Sequence, residues 1–349
     1  MPMIKELNIS WDGKVRSRIV GGDSLADVAG LLAQEPEVYV VYDKQAVWVA
    51  AEVLSAVPAQ PGQVRAAMGL ETSEERKCMD TVMALERWLL EAGASRQALI
   101  LAIGGGITTD MAGFAAALYK RGIRYANLPT TLLAQVDAAI GGKTGVNLEA
   151  YKNMLGAFLQ PQFTFLSADV LRTLAPRDFR SGLAEMAKTF LLADKEAYER
   201  FFASAQNDKG FAGEISPFIW RAAEIKAGIV ARDPYEKGER ALLNLGHSYG
   251  HAIEHEARLR GDDITHGEAV AMGIILAAEL SEQLGVAQKG LAARLRANFM
   301  GIGLPAECPY PIEQLQAALR KDKKVQSSGK IRFVLLKDIG EPLIRELEI

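Results

Sequence analysis

Cysteine is nearly missing from this sequence. Cys78 and Cys308 are the two copies in 349 residues, and neither belongs to a CxxC pair, so disulfides and a thiolate zinc site are without support and a reducing compartment fits. There is no long hydrophobic run. The most apolar stretch, Ala269 to Ala278, is shorter than a bilayer requires and is bounded by Glu268 and Glu279, which favours a buried helix over a membrane span. The segment MPMIKELNIS carries charges and no apolar run, so no secretory signal is expected there, and the protein is expected to be soluble and cytoplasmic. An excess of positive charge is missing too. The formal net charge is -3 and the basic residues are spread along the chain, which argues against a nucleic-acid partner and puts any bound phosphate on a small molecule. With 49% apolar and 24% charged residues and no low-complexity tract, the whole chain can bury enough surface to fold.

What is present changes in texture along the chain, and 349 residues suit two domains. In the first half, Val38 to Tyr42, Ala98 to Ile103 and Arg124 to Leu128 are near-continuous apolar or aromatic runs, as in strands covered on both faces. Between the first two, Met79, Val82, Met83, Leu85, Leu89 and Leu90 recur at helical spacing, which predicts a crossover helix over Ser73 to Glu91. This βαβ pattern implies an α/β domain with a parallel sheet. After Phe163 to Leu166 the stretches around 182 to 204, 214 to 232, 241 to 258, 267 to 284 and 312 to 320 read as helices, so a second domain is mostly α-helical. Pro161 and an expected edge strand set the boundary, dividing the chain into residues 1–168 and 169–349.

Gly104-Gly105-Gly106 follows directly on an apolar strand and precedes a helical segment containing Asp110. Glycines there let the backbone approach a phosphate, and the helix start offers N–H groups to a pyrophosphate; a plain tight turn explains them equally well. Asp43, just past the first strand, suits a ribose hydroxyl or a helix N-cap. All four histidines, His247, His251, His255 and His266, fall in a twenty-residue window. The first three are four apart and share one helix face, where imidazoles can converge on a metal or a substrate. Catalytic zinc commonly adds a carboxylate. Glu185, among small apolar residues, is the candidate, with a plain ion pair to Lys188 as the alternative. The glycine-rich stretch Val136 to Asn147 carries Lys143 but lacks the first half of GxxxxGK[ST], which excludes a Walker NTPase. Lys226 and Arg240 stand among apolar neighbours, and Asp322-Lys323-Lys324 reads as a solvated charge run.

In order along the chain, GGGITTDMAGFAA, YKRG, LPTTLLAQVDAAIGGKTGVN, YKNMLGAF, GLAEMAK, EIKAGIVARDPYE, LNLGHSYGHAIE, THGEAVAMG and DKK resemble the 3-dehydroquinate synthase family. The resemblance implies a Rossmann-like N-terminal domain, a helical C-terminal domain, a homodimer, one NAD and one divalent metal, zinc or cobalt. It implies Glu185, His247 and His266 as metal ligands, with His251 facing substrate and His255 outside the pattern. Lys143, Asn153, Lys188, Lys226, Arg240, Asn244 and Lys323 would hold a phosphorylated sugar acid, Arg121 would reach across the dimer interface, and Asp137 would lie near nicotinamide and metal. NAD would be held by Asp43, Glu74, Lys77, Gly105, Gly106, Asp110, Thr130, Thr131, Lys143 and Lys152. Two departures stand out: Cys78 replaces a usual serine, and Thr109 a glycine.

The implied reaction converts 3-deoxy-D-arabino-heptulosonate 7-phosphate to 3-dehydroquinate and phosphate, on the shikimate route to aromatic amino acids. It runs through transient oxidation by NAD, phosphate elimination, re-reduction and an intramolecular aldol closure. A sister sugar phosphate cyclase making 2-deoxy-scyllo-inosose or 2-epi-5-epi-valiolone, and a metal-dependent polyol dehydrogenase, are the enzymatic rivals. A non-catalytic metal-binding protein explains the histidines but not the lysines and glycine loop together.

Overall fold

Near-continuous apolar strands need cover on both faces, and the first half of the chain supplies it. The computed structural model describes residues 5–57, 63–149, 151–205, 211–323 and 330–348, with the backbone alone at 211–212 and 321–323. Strands β1 (Lys5–Trp11), β2 (Lys14–Gly21), β3 (Val38–Asp43), β4 (Val64–Leu70), β5 (Leu99–Gly104), β6 (Arg124–Pro129), β7 (Lys143–Leu148), β8 (Tyr151–Phe158) and β9 (Phe163–Leu166) belong to the first unit. Its main sheet runs in the order β1-β2-β9-β6-β5-β3-β4, parallel except for the β1–β2 hairpin. The β7–β8 hairpin is a separate antiparallel pair. Every residue of β5 is buried, and the helices Met79–Glu91 and Gly106–Leu118 pack Val82, Leu85, Leu89, Met111 and Ala115 into one core with Tyr39 and Ile100. This is the Rossmann-like α/β arrangement.

The chain leaves β3 outward to β4 and returns to the other side of β3 for β5, so strand order reverses between β3 and β5. In open α/β sheets that reversal opens a crevice at the carboxyl ends of the strands, where ligands bind. Asp43 and Gly104 end those two strands.

Three expectations are corrected. β9 is not an edge strand: it lies between β2 and β6 with all four residues buried, and the N-terminal hairpin, unread in the sequence, forms that edge. The crossover helix begins at Met79 rather than Ser73, because residues 73–78 close into turns, with the Lys77 N–H donating to the Ser73 carbonyl at 3.1 Å. The chain divides into Met1–Leu174 with Lys226–Tyr235, and Ala175–Ile225 with Glu236–Ile349, not at 168/169. Residues 169–174 stay with the first unit because Trp48 Nε1 donates to Thr173 Oγ1 at 3.0 Å and the Arg172 guanidinium lies 3.9 Å over the Trp48 ring. Residues 226–235 join it through Lys226, whose Nζ donates to the Asp137 carbonyl at 2.5 Å.

The second unit is mostly helical. Its helices include Pro176–Ala193, Lys195–Ala205, His247–Arg260, His266–Gln283, Leu291–Gly301 and Ile312–Lys323, and Ser216–Arg232 is divided between the units. Proline at the first turn of Pro176–Ala193 leaves no N–H to satisfy, and left-handed Gly261 closes His247–Arg260. The Leu291–Gly301 helix and the antiparallel hairpin of β10 (Ile331–Asp338) and β11 (Glu341–Leu347) went unread. Phe333 and Leu335 of β10 pack with Tyr249, Ile253, Met272 and Leu315 in one core.

Candidate nucleotide and metal sites

In the first unit the helix Gly106–Leu118 starts with Gly105 as N-cap, no side-chain cap and no acidic residue in its first turn. Its first N–H groups have no intrahelical acceptors and so face the strand ends as anion donors. A side chain at either glycine would crowd a neighbour. A Cβ on Gly105 would lie 3.1 Å from Thr131 Cγ2, and one on Gly106 3.0 Å from Ala138 Cβ. The Thr130 N–H donates to the Gly104 carbonyl at 2.9 Å, and Thr131 Oγ1 accepts from the Ala134 N–H at 3.2 Å. Asp43 accepts from the Gln45 N–H at 2.9 Å and from the Thr72 hydroxyl at 2.6 Å, so it caps a short 3-10 turn at the end of β3.

A hydrogen-bonded chain joins five more residues of this unit. Lys77 Nζ lies 2.6 Å from Asp110 Oδ2 and 2.6 Å from Asn153 Oδ1. The Asn153 N–H donates to Asn147 Oδ1 at 2.9 Å, and Asn147 Nδ2 donates to Glu74 Oε1 at 2.9 Å. Burial raises the Asp110 carboxyl above the usual range, and the Lys77 charge opposes that rise. Asn153 holds φ at 53° and Arg121, exposed, at 68°, beside Lys120 at 48°. Left-handed conformations are costly for side-chain-bearing residues and cluster at functional sites. Asp137 sits in a single π-helical turn, Ala134–Ala138, another feature enriched at such sites, where its carboxylate accepts from the buried Lys226. Lys143 opens β7, and Lys152 is exposed on β8. The two departures are accommodated: the Thr109 hydroxyl donates to the Gly106 carbonyl at 3.1 Å, and Cys78 is the N-cap residue of Met79–Glu91 without capping it through its side chain.

In the second unit, ligand atoms of Glu185, His247 and His266 all lie within 4.8 Å of one another, the one set of this kind among the described residues. Glu185 and Lys188 are fully buried on one face of Pro176–Ala193, with Lys188 Nζ 2.5 Å from Glu185 Oε2. The ion pair and the ligand set coexist, because the other carboxylate oxygen, Oε1, lies 3.6 Å from His247 Nε2 and 3.5 Å from His266 Nε2. Glycines bring the three helices this close. Gly267 gives its N–H to Ser181 Oγ at 2.9 Å, and a Cβ there would lie 2.3 Å from the Ser181 carbonyl oxygen. Left-handed Gly246, φ 76°, starts the His247 helix where a Cβ would meet Ile274 Cγ1 at 2.6 Å. His266 is fixed at its helix start by a capping box: Glu268 Oε2 accepts from the Thr265 N–H at 2.8 Å while Thr265 Oγ1 accepts from the Glu268 N–H. Arg177 then grips both oxygens of Glu268, at 2.9 and 2.8 Å.

Burial, with Lys188 adding to it, pushes His247 down to about 3, so its imidazole is neutral and able to bind a cation. Burial pulls His266 the same way, but hydrogen bonds to Glu185 and Glu254 outweigh it and raise the ring to about 10. One carboxylate and two imidazoles form the donor set of catalytic zinc, with room for a further ligand. Beside it opens a cavity of about 300 Å³ lined by Asn244, His247, Ser248 and His251, with Glu236 and Arg332 among its charged groups. Asn244 Nδ2 donates to Glu236 Oε1 at 2.9 Å. Arg240 is buried in the 3-10 turn Glu239–Asn244. The four-residue spacing of His247, His251 and His255 does not produce the ligand set: His251 lines the cavity and His255 lies outside the cluster. Lys323 ends the Ile312–Lys323 helix, and its side chain is outside the described residues. Glu236, Glu254 and Arg332 were missed. Glu236 and Glu254 close the segments EIKAGIVARDPYE and LNLGHSYGHAIE without having been given a role, and no motif marks Arg332, although T-x-x-E at Thr265 to Glu268 was readable as a capping box.

The profile of the 3-dehydroquinate synthase N-terminal part matches residues 67–181, and that of its C-terminal part residues 182–325. The 3-dehydroquinate synthase of Paracoccus denitrificans is 43% identical over 286 residues, which cover 80% of this chain and 77% of that protein. A solved 2-deoxy-scyllo-inosose synthase, complexed with carbaglucose-6-phosphate, NAD+ and Co2+, superposes with a TM-score of 0.84 at 25% identity, covering 99% of this chain and 97% of that one. The 2-epi-5-epi-valiolone synthase of Streptomyces hygroscopicus subsp. jinggangensis, with NAD+ and Zn2+ bound, gives 0.86 at 26% identity, covering 98% and 96%. A glycine-cleared helix start, clustered imidazoles and a buried carboxylate thus stand in a chain whose residues 67–325 match the two profiles, and the chain belongs to the 3-dehydroquinate synthase family.

Proposed function

We propose that this protein is a 3-dehydroquinate synthase, an NAD- and divalent-metal-dependent carbon–oxygen lyase that converts 3-deoxy-D-arabino-heptulosonate 7-phosphate to 3-dehydroquinate and phosphate. The observation that carries the reading is the convergence of Glu185, His247 and His266 beside a polar cavity, in a member of this family. Bound NAD supplies a reversible hydride acceptor, and bound Zn2+ or Co2+ a Lewis acid. In the first unit the open helix start at Gly105 and Gly106 takes the pyrophosphate, Asp43 at the end of β3 a ribose, and Glu74, Lys77, Asp110, Thr130, Thr131, Lys143 and Lys152 the rest of the dinucleotide. In the second unit Glu185, His247 and His266 hold the metal, while Lys188 offsets the charge of the carboxylate. His251 and Asn244 on the cavity wall, with Arg240 and Lys323, bind substrate hydroxyls, carboxylate and phosphate. In the first unit Asn153, Lys143 and Lys226 offer further donors to the substrate, and the Asp137 carboxylate accepts from Lys226. These cations stabilise charge on the departing phosphate, and the ring closure needs mainly positioning.

We further propose a cytoplasmic homodimer in which Arg121 completes the partner's site. Among the described residues no helix is long and apolar enough to cross a membrane, and Cys78 and Cys308 are both free thiols. The test is phosphate release from 3-deoxy-D-arabino-heptulosonate 7-phosphate by protein supplied with NAD and Zn2+ or Co2+. Release that a chelator abolishes, without accumulating NADH, is expected. Net NADH would point to a polyol dehydrogenase. No release by metal-loaded, NAD-bound protein would move the assignment to a sister cyclase, the class of the two solved structures.

A further inference from the structure

The two imidazoles of the metal cluster are held from behind by different kinds of group. His247 turns Nε2 toward Glu185 Oε1 and Nδ1 toward the Leu245 carbonyl oxygen, 3.1 Å away. A carbonyl only accepts, so the proton sits on Nδ1 and Nε2 keeps its lone pair. His266 presents Nε2 to the same carboxylate oxygen, and its Nδ1 lies 3.4 Å from Glu254 Oε1. Glu254 belongs to the helix His247–Arg260 that also supplies His247, and its side chain is 9% exposed. It is neither in the ligand set nor on the cavity wall. His266, at the first position of its helix, is the more exposed ring, 34% against 13% for His247.

We infer that Glu254 is a positioning residue for the metal: it accepts the Nδ1 proton of His266 and holds the ring with Nε2 toward Glu185, so that a cation taking the place of the Nε2 proton meets a stronger donor. The inference rests on the metal-dependent reading of the site. A carboxylate behind a ligating histidine fixes tautomer and ring orientation, and here a side chain does for the exposed ring what a backbone carbonyl does for the buried one. Charge points the same way. The Glu254 carboxylate is the second beside the two imidazoles, and negative charge there attracts a divalent cation.

The experiment strips wild-type, Glu254→Gln and Glu254→Ala proteins of metal with a chelator. It then titrates each with Co2+, read by its visible absorption, and records Tm with and without the ion. Glu254→Ala is expected to weaken Co2+ binding about 10–100-fold, and Glu254→Gln less, because an amide oxygen still accepts but carries no charge. The rise in Tm on adding Co2+ shrinks in step. A glutamate with only a structural role lowers Tm with and without metal alike. Unchanged Co2+ affinity in both variants overturns the inference. Should Glu254→Ala not fold, Glu254→Gln decides alone. Wild-type protein that takes up neither Co2+ nor Zn2+ fails earlier, and that result removes the metal reading together with the role given to Glu254.

Discussion

A fully buried carboxylate is tolerated only with compensation, and Glu185 has it on both oxygens, Lys188 on one side and the His266 ring on the other. Removing one imidazole leaves the Lys188 pair in place. His247→Ala is therefore expected to fold while losing its metal, with phosphate release falling to background; full metal occupancy in the purified variant would take His247 out of the site. A different carboxyl tests the folded state itself. Glu86 Oε1 is buried with no hydrogen-bond partner among the described residues, and burial raises its pKa from 4.5 to about 7. An acid that binds its proton more tightly when folded contributes stability below its unfolded pKa and loses it as pH rises through the folded one. The window is pH 4.5 to about 7. Glu86→Gln should thus raise Tm over wild type at pH 8 and give no gain at pH 4; an equal gain at both would show that the charge of Glu86 does not matter.

At the scale of elements, the metal centre depends on how closely three helices approach and where one begins. A methyl group on Gly267 has no space against Ser181, so Gly267→Ala must separate the helices that carry Glu185 and His266. Loss of bound metal together with a lower Tm is expected, and normal metal content would show that the helices can part without cost. The capping box acts more gently. Thr265→Ala removes one N-cap acceptor, worth about 1 kcal/mol, and for a unit of this size thermal denaturation should report a fall of roughly 2–4 °C. Much of this was legible. THGE reads as a helix start, and the helically spaced run before Glu91 reads as a helix, of which Val82, Leu85 and Leu89 are buried while Met83 and Leu90 are exposed. The π-turn at Asp137 and the left-handed Asn153 were not, because both are backbone conformations that tertiary packing imposes against local preference.

For the molecule as a whole, the proposed homodimer makes a prediction that no single chain can satisfy. The 37.8 kDa chain should sediment at twice its mass. If Arg121 serves the partner's site, inactive Arg121→Ala and inactive His247→Ala subunits should recover activity when mixed and allowed to reassort, in about one site of four. No recovery from mixed dimers would place Arg121 at its own subunit's site or outside catalysis. Read alone, the sequence determined the parallel α/β first half, the helical second half, the family and the residue types of the metal set, since periodicity and short motifs are local properties of the chain. The tertiary structure decided the rest. It buried β9 inside the sheet instead of at its edge, and it brought Glu185, His247 and His266, which are far apart in the chain, to within 4.8 Å. It also set Glu254 behind His266. Each of these depends on which helix face meets which neighbour across long sequence separations, and burial and close approach settle that only once the chain has packed.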